Sequence, residues 1–255
     1  MTATDAARVW LPLGVRPDSS DVRLFCLPHA GGAASAFRAW LDALPGIEVL
    51  PVQPPGREGR MREQPYERIE DLVDQLAALI EQVAQEQEFA LYGHSLGALV
   101  AFETARELRR SGARAPTNLI VSGAPPPQKS NDRGKRVSTM PTDELVEMMR
   151  RLGGTPEWIL SNPELLDMVL PAIRGDFAMR ESYRYRREAG LEVPITVIAS
   201  DSDPRAPRRQ QARWKEQTTA AFEMHTLRGG HFAVFEEPES MQRCLAGAMG
   251  PAAGV

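Results

Sequence analysis

Ser95 sits in Gly93-His94-Ser95-Leu96-Gly97, the G-x-S-x-G spacing that places a serine on a sharp turn between a strand and a helix. The two glycines are needed because the turn brings backbone against backbone, where a Cβ would clash. A serine hydroxyl is a poor nucleophile at neutral pH and needs a base within hydrogen-bond reach. The chain has four histidines, His29, His94, His225 and His231. His94 lies inside the turn with its side chain directed away from the serine, and is expected to pack beneath it. His225 falls mid-strand and reads as structural, and His29 stands in a glycine-rich loop that it could shape. His231 follows Gly229-Gly230 in a loop between a strand and a terminal helix, where an exposed base belongs. It is the expected general base.

A third group must orient that imidazole and stabilise its charged form. Asp201 and Asp203 both follow a strand and precede His231. Asp203 is preferred, with Asp201 as the alternative, and either could instead cap the turn. Acyl transfer also needs donors aimed at the developing oxyanion. The backbone N–H of Leu96, just past the serine, is one. The other is expected from Ala30 in Pro28-His29-Ala30-Gly31-Gly32, where a glycine pair after a strand allows close backbone approach. The chemistry implied is nucleophilic attack on an acyl group, with no metal and no dissociable cofactor.

These residues need a scaffold that presents loops at one end of a sheet. Strand-like runs occur at Val22–Leu27, Ile47–Val52, Phe89–Tyr92, Leu119–Ser122, Ile195–Ala199 and Phe222–Leu227. Helical spacing of apolar residues predicts helices over Ala33–Leu44, Ile69–Val83, Leu96–Arg110, Ala206–Thr218 and Pro238–Met249. Strands alternating with helices mean βαβ units, an α/β fold with a mostly parallel central sheet flanked by helices. Residues 1–21 read as a loose polar leader, and Gln53–Arg60 as a rigid Pro/Gly loop. The alternation breaks between Gln128 and Gly190. There Thr142 and Asn162 are expected N-caps, and Pro171 should kink or divide the last helix. Residues 128–190 are read as a helical insertion over the sheet end, a lid, with extra scaffold helices as the plainer reading. The core is then residues 1–127 and 191–255.

A length of 255 residues fits one large domain with an insertion, and 42% hydrophobic with 25% charged residues is ordinary for a globular chain. The net charge of −4 argues against nonspecific nucleic-acid binding. Two cysteines, Cys26 and Cys244, make neither a disulfide framework nor a zinc site, and a reducing cytoplasm is the simplest home. MTATDAARVW has no basic and apolar signal pattern, and no run of 18 apolar residues suggests a membrane span.

Taken together, Leu27-Pro28-His29-Ala30-Gly31-Gly32, Pro54-Pro55-Gly56-Arg57, Gly93–Ala98, Pro171–Phe177 and Gly229-Gly230-His231-Phe232 resemble the type II thioesterases of polyketide and nonribosomal peptide synthetases. The resemblance runs from about Val22 to Leu245. It implies an α/β-hydrolase fold with a mobile helical lid. It also implies hydrolysis of stalled or misprimed acyl thioesters from the phosphopantetheine arm of an acyl or peptidyl carrier protein. Two positions depart from the family pattern. Leu96 replaces a common methionine, and Gly175 replaces the usual alanine, which should loosen the lid helix by up to about 1 kcal/mol. Carrier proteins are generally acidic, so Arg133, Lys135 and Arg136, and Arg205, Arg208 and Arg209, are docking candidates, although arginine clusters are more often solvated faces. The chain is expected to be a monomer. An esterase or acyltransferase for small free esters would use the same triad, and a silent scaffold would lack an activated serine.

Overall fold

Six short apolar runs pair into one sheet, and the period-two alternation of each run supplies both of its faces. The computed structural model describes residues 3–16, 22–129 and 136–249. In chain order the elements are α1 (Ala3–Trp10), β1 (Val22–Leu27), β2 (Ile47–Pro51), α2 (Ile69–Ala84), β3 (Phe89–His94), α3 (Leu96–Ser111) and β4 (Leu119–Ser122). They continue with α4 (Thr142–Leu152), α5 (Glu157–Leu160), α6 (Pro163–Ser182), β5 (Ile195–Ser200), α7 (Arg208–Gln211), β6 (Phe222–Leu227), α8 (Ala233–Glu236) and α9 (Pro238–Met249). The strand order is β2-β1-β3-β4-β5-β6, and every neighbouring pair is parallel. Burial on both faces is what lets β1 to β5 read as nearly continuous hydrophobic runs.

Phe25, Leu27, Phe89, Leu91, Leu119, Val121, Ile195 and Val197 point to one face, under α2 and α3. Leu24, Cys26, Ala90, Tyr92, Ile120 and Ile198 point to the other, where Phe37, Trp40, Val234 and Leu245 cover them. After β1 the chain builds β2 on one side, then crosses over to place β3 on the other. The loops following β1 and β3 therefore diverge and leave a crevice at the strands' carboxyl ends, the usual ligand position in such sheets.

Several local expectations change. The leader is not loose throughout: Ala3–Trp10 is a helix, and Trp10 and Leu11 are buried in the core. The Trp10 carbonyl accepts from the Gln53 N–H at 2.8 Å, and the Arg60 guanidinium lies 4.2 Å from the indole centroid. So short a helix is stabilised by tertiary contacts, which leave no periodic signature in a mixed polar stretch. Ala34–Trp40 is a 3₁₀ helix, whose threefold repeat sends Phe37 and Trp40 inward together. Ala206–Thr218 resolves into the short α7 and a 3₁₀ turn over Ala212–Gln217. Pro141, not Thr142, occupies the N-cap of α4, whereas Asn162 caps α6 by accepting from Glu164 N–H at 3.0 Å and Leu165 N–H at 3.3 Å. α6 runs unbroken through Pro171, because both of its halves are packed.

Those halves pack on different partners. Leu170 and Ile173 join Leu145, Val146, Met149 and Leu160 in a small core shared with α4 and α5. Met179 enters the main core instead, followed by Tyr183. Gly175 is buried, and a Cβ there would lie 3.0 Å from the Tyr66 carbonyl oxygen and from Pro65 Cβ. The missing methyl that weakens the helix lets the 65–66 segment lie against it. Among the described residues no helix is long and apolar enough to cross a membrane.

Candidate active site

The turn at Ser95 is as tight as its glycines suggest. A Cβ on Gly93 would meet the Gly97 carbonyl oxygen at 2.1 Å, and one on Gly97 would meet the Leu27 carbonyl oxygen at 2.1 Å. Ser95 itself has φ 56° and ψ −113°, a conformation costing on the order of 1–3 kcal/mol for a residue with a side chain. Its N–H donates to the Ser122 carbonyl at 2.9 Å, which fixes the turn to β4. Ser95 caps the 16-residue α3, so the first amide groups of that helix and its dipole face the serine's surroundings.

Three imidazoles gather beside it. The His94 and His231 rings are 4.9 Å apart, and the His29 and His94 rings 5.9 Å, measured between centroids. Their environments differ in ways that separate their chemistry. His94 is fully buried beneath the turn, with Nδ1 2.9 Å from Ser122 Oγ, which in turn lies 2.6 Å from the Tyr92 hydroxyl. Burial, then the charges of His231 and His29, hold its pKa well below the ordinary value. His29 is pulled down to about 4, by burial first and then by His231 and Arg57. Both are therefore neutral near pH 7. Of the three, His231 alone meets a carboxylate among the described residues: its Nδ1 is 2.8 Å from Asp203 Oδ2. His225 lies on the edge strand β6, 3.6 Å from Glu223 and away from this cluster.

The two candidate acids are cleanly divided. Asp203 is 5% exposed, and its other oxygen accepts from the Arg205 N–H at 2.9 Å and the Ala206 N–H at 3.3 Å. Burial would raise its pKa, but the bond to His231, that ring's charge and the two amides outweigh burial and hold it below the usual value. Asp201 is exposed and ties the loop together, accepting from Ser202 Oγ at 2.8 Å and the Gly229 N–H at 3.0 Å.

Ser95 opens onto two small cavities. One, of about 60 Å³, runs under α4 and α6 with His29, Ala30, Met149, Ile173, Phe177 and His231 on its walls. The other, of about 80 Å³, is bounded by Ala30, Leu96, Gly123, Phe177, Arg180 and Arg205. Ala30, Phe177 and Arg205 border both. A larger groove of about 270 Å³ lies elsewhere, lined by Glu103, Arg106, Tyr183 and Glu188, and contains none of the expected site residues. Arg205, Arg208, Arg209 and Arg136 are exposed, and of these Arg205 borders the cavities, while Arg133 and Lys135 lie outside the described residues.

Sequence reasoning gave no role to three participants. Ser122 links His94 to Tyr92, and its only signal was its place at the end of β4. Phe232, next to His231, has its ring centroid 4.9 Å from that of His29 and 5.1 Å from that of His231, and Gly154 passes so close that a Cβ would meet the ring at 2.2 Å. Asp176 on α6 pairs with Arg57, at 2.6 and 2.8 Å through two separate bonds. Both residues belong to stretches that carry the family resemblance, but nothing in the sequence joins them.

The thioesterase domain family matches the chain over residues 22–246. Thioesterase PikA5 of Streptomyces venezuelae is 43% identical over 220 residues, covering 86% of this chain and 78% of that one. The gramicidin S biosynthesis protein GrsT of Aneurinibacillus migulanus is 34% identical over 242 residues, covering 94% of each. Among solved structures, the type II thioesterase BorB from the borrelidin biosynthetic cluster superposes with a TM-score of 0.84 at 37% identity, covering 95% of this chain and 98% of that one. A parallel α/β sheet with an elbow serine and this set of relatives has one reading: the chain belongs to the thioesterase domain family and is a thioester hydrolase related to the type II thioesterases.

Proposed function

We propose that the protein removes acyl groups from the phosphopantetheine arms of carrier proteins in polyketide or nonribosomal peptide biosynthesis, through Ser95, His231 and Asp203. The observation that carries the mechanism is the 2.8 Å contact between His231 Nδ1 and the buried Asp203, with His231 and Ser95 on the wall of one cavity. Asp203 holds the Nδ1–H tautomer, which leaves Nε2 to take the Ser95 proton. Ser95 Oγ attacks the thioester carbonyl while the Ala30 and Leu96 amides receive the oxyanion. The pantetheine thiol leaves with the proton from His231, and water activated by the same imidazole hydrolyses the acyl-serine. The cavity under α4 and α6 suits the acyl group, and the arginine-bordered opening suits the pantetheine arm. Residues 128–190 act in this reading as the lid over that cavity.

Arg205, which borders the opening, and the exposed Arg208 and Arg209 that follow it on α7 are the docking surface for an acidic carrier. The enzyme works as a cytoplasmic monomer that clears stalled or misprimed chains, consistent with free Cys26 and Cys244. Ser95→Ala should abolish hydrolysis of an acyl-carrier thioester while the carrier still binds. Retained turnover in that variant would refute the assignment.

A further inference from the structure

Asp176 and Arg57 are both buried, with side chains 5% and 7% exposed. Asp176 Oδ2 accepts from the Gly31 N–H at 2.7 Å and from Arg57 Nη1 at 2.6 Å, and its Oδ1 accepts from Arg57 Nη2 at 2.8 Å. Arg57 also donates to the Gly32 carbonyl at 3.0 Å and to the Pro55 carbonyl at 3.2 Å. A further tie comes from Gln53, which accepts from the Ala34 N–H at 3.1 Å and donates to the Arg57 carbonyl at 3.2 Å. The loop after β1 is thus held at residues 31, 32 and 34 by side chains from α6 and from the loop after β2.

A buried ion pair is a poor way to gain stability, because desolvation offsets much of the attraction. What a two-point fork does supply is geometry, since both groups are planar and each bond restricts the other. Asp176 fixes the direction of the Ala30–Gly31 peptide, and Gly31, at φ +77°, turns the chain sharply immediately afterwards. Ile173, one helical turn earlier on α6, closes the remaining space: a Cβ on Gly31 would meet its Cγ1 at 2.9 Å. Ala30, whose N–H is the second oxyanion donor in the proposed mechanism, has no tie of this kind of its own among the described residues. Its position is inherited from this clamp.

We propose that Asp176 and Arg57 are positioning residues for the oxyanion hole, so that α6 takes part in catalysis as well as covering the site. The inference rests on the acyl-transfer reading of Ser95. It makes the C-terminal half of α6 a fixed wall, and assigns any opening of the acyl cavity to α4 and α5.

The test compares wild type, Asp176→Asn, Arg57→Met/Asp176→Asn and Arg57→Met/Asp176→Leu on an acyl-pantetheine thioester, with Tm measured for each. Leucine has the shape of aspartate without an acceptor, and the double variants carry no lone buried charge, so both should fold. Two pantetheine-linked ligands are titrated alongside: a trifluoromethyl ketone, which adds to Ser95, and the matching unreactive amide. Loss of one oxyanion donor lowers kcat roughly 10²–10³-fold. Asp176→Asn should fall by about that factor, with little change in KM, and its affinity for the ketone should fall in parallel while amide binding holds. Arg57→Met/Asp176→Asn keeps an acceptor for the Gly31 N–H but loses the Arg57 ties to the Gly32 and Pro55 carbonyls, and should recover only part of kcat. The leucine double variant should recover none of it, even at wild-type Tm. The inference is overturned if the leucine variant regains kcat with its Tm, or if ketone and amide weaken together. A wild-type protein inert toward thioesters would count against the proposed function instead, while the ketone-to-amide comparison would still judge the clamp.

Discussion

Replacing Asp203 with asparagine is the sharpest probe of how His231 is set. The carboxylate is held at both oxygens, by the Arg205 and Ala206 amides on Oδ1 and by His231 on Oδ2. Asparagine has the same shape, so its carbonyl oxygen will keep the two amide donors and its NH₂ will be turned toward His231. A donor there forces Nδ1 to accept and moves the ring proton to Nε2, the atom that must take the Ser95 proton. The geometry survives and the tautomer is wrong, a change that costs about 10⁴-fold in kcat, or about 5.5 kcal/mol of barrier, in serine triads of this construction. Asp201→Asn is the matched control. Its side chain is exposed and its two donors, Ser202 and Gly229, can still be met by an amide oxygen, so kcat should stay within about threefold. Turnover is followed by release of the pantetheine thiol, with Tm and the far-ultraviolet circular dichroism spectrum as checks on folding. If Asp203→Asn keeps more than a tenth of wild-type kcat, or Asp201→Asn loses more than thirtyfold, the tautomer argument fails.

Three further outcomes follow from the same contacts. Gly97→Ala drives a Cβ onto backbone that cannot yield, and should cost at least about 3 kcal/mol, lowering Tm by roughly 6–12 °C; Gly247→Ala in α9, with open space around it, should be neutral or slightly stabilising by thermal melts. His29 titrates at about 4 in the folded protein against 6.5 as a free side chain, so its contribution to stability is complete above pH 6.5 and is lost as the pH falls toward 4. Unfolding free energies from urea titrations at pH 7 and pH 5 should differ by up to about 2 kcal/mol on this account, and His29→Gln should narrow that gap; an unchanged gap refutes the attribution. Reversing Arg208 and Arg209 to glutamate should raise KM for an acyl-carrier by about tenfold, in a salt-dependent way, while KM for acyl-pantetheine stays put.

The proposed catalytic set was legible because each member announces itself locally. Ser95 is framed by glycines that only a tight turn requires, and His231 follows a glycine pair at the end of a strand. Asp203 was harder, because Asp201 stands two residues away with the same chemistry, and only burial and hydrogen bonding tell them apart. The sheet was legible too, since strands covered on both faces are almost wholly apolar, as in Leu119–Ser122. What escaped was tertiary. Trp10 gives no pattern because its partners are Gln53 and Arg60. Asp176 and Arg57 were visible as residues but not as a pair, because nothing along the chain links a helix face to a proline loop 119 positions earlier. The 3₁₀ form of Ala34–Trp40 escaped for the opposite reason: an apolar spacing of three serves either helix.

Those separations also set an order in time. The elbow is assembled from neighbouring segments, β3, α3 and β4, and can form as soon as these meet. The loop after β1 is held by a residue 145 positions away, and the imidazole lies 28 positions beyond its aspartate. Closing such long loops is slow compared with local pairing. During synthesis, which proceeds from the N-terminus, Ser95 is therefore in place well before the oxyanion loop is fastened and before His231 exists. On the proposed mechanism the growing chain carries a shaped but unarmed serine, and hydrolytic competence arrives only when nearly all of the fold has closed around it.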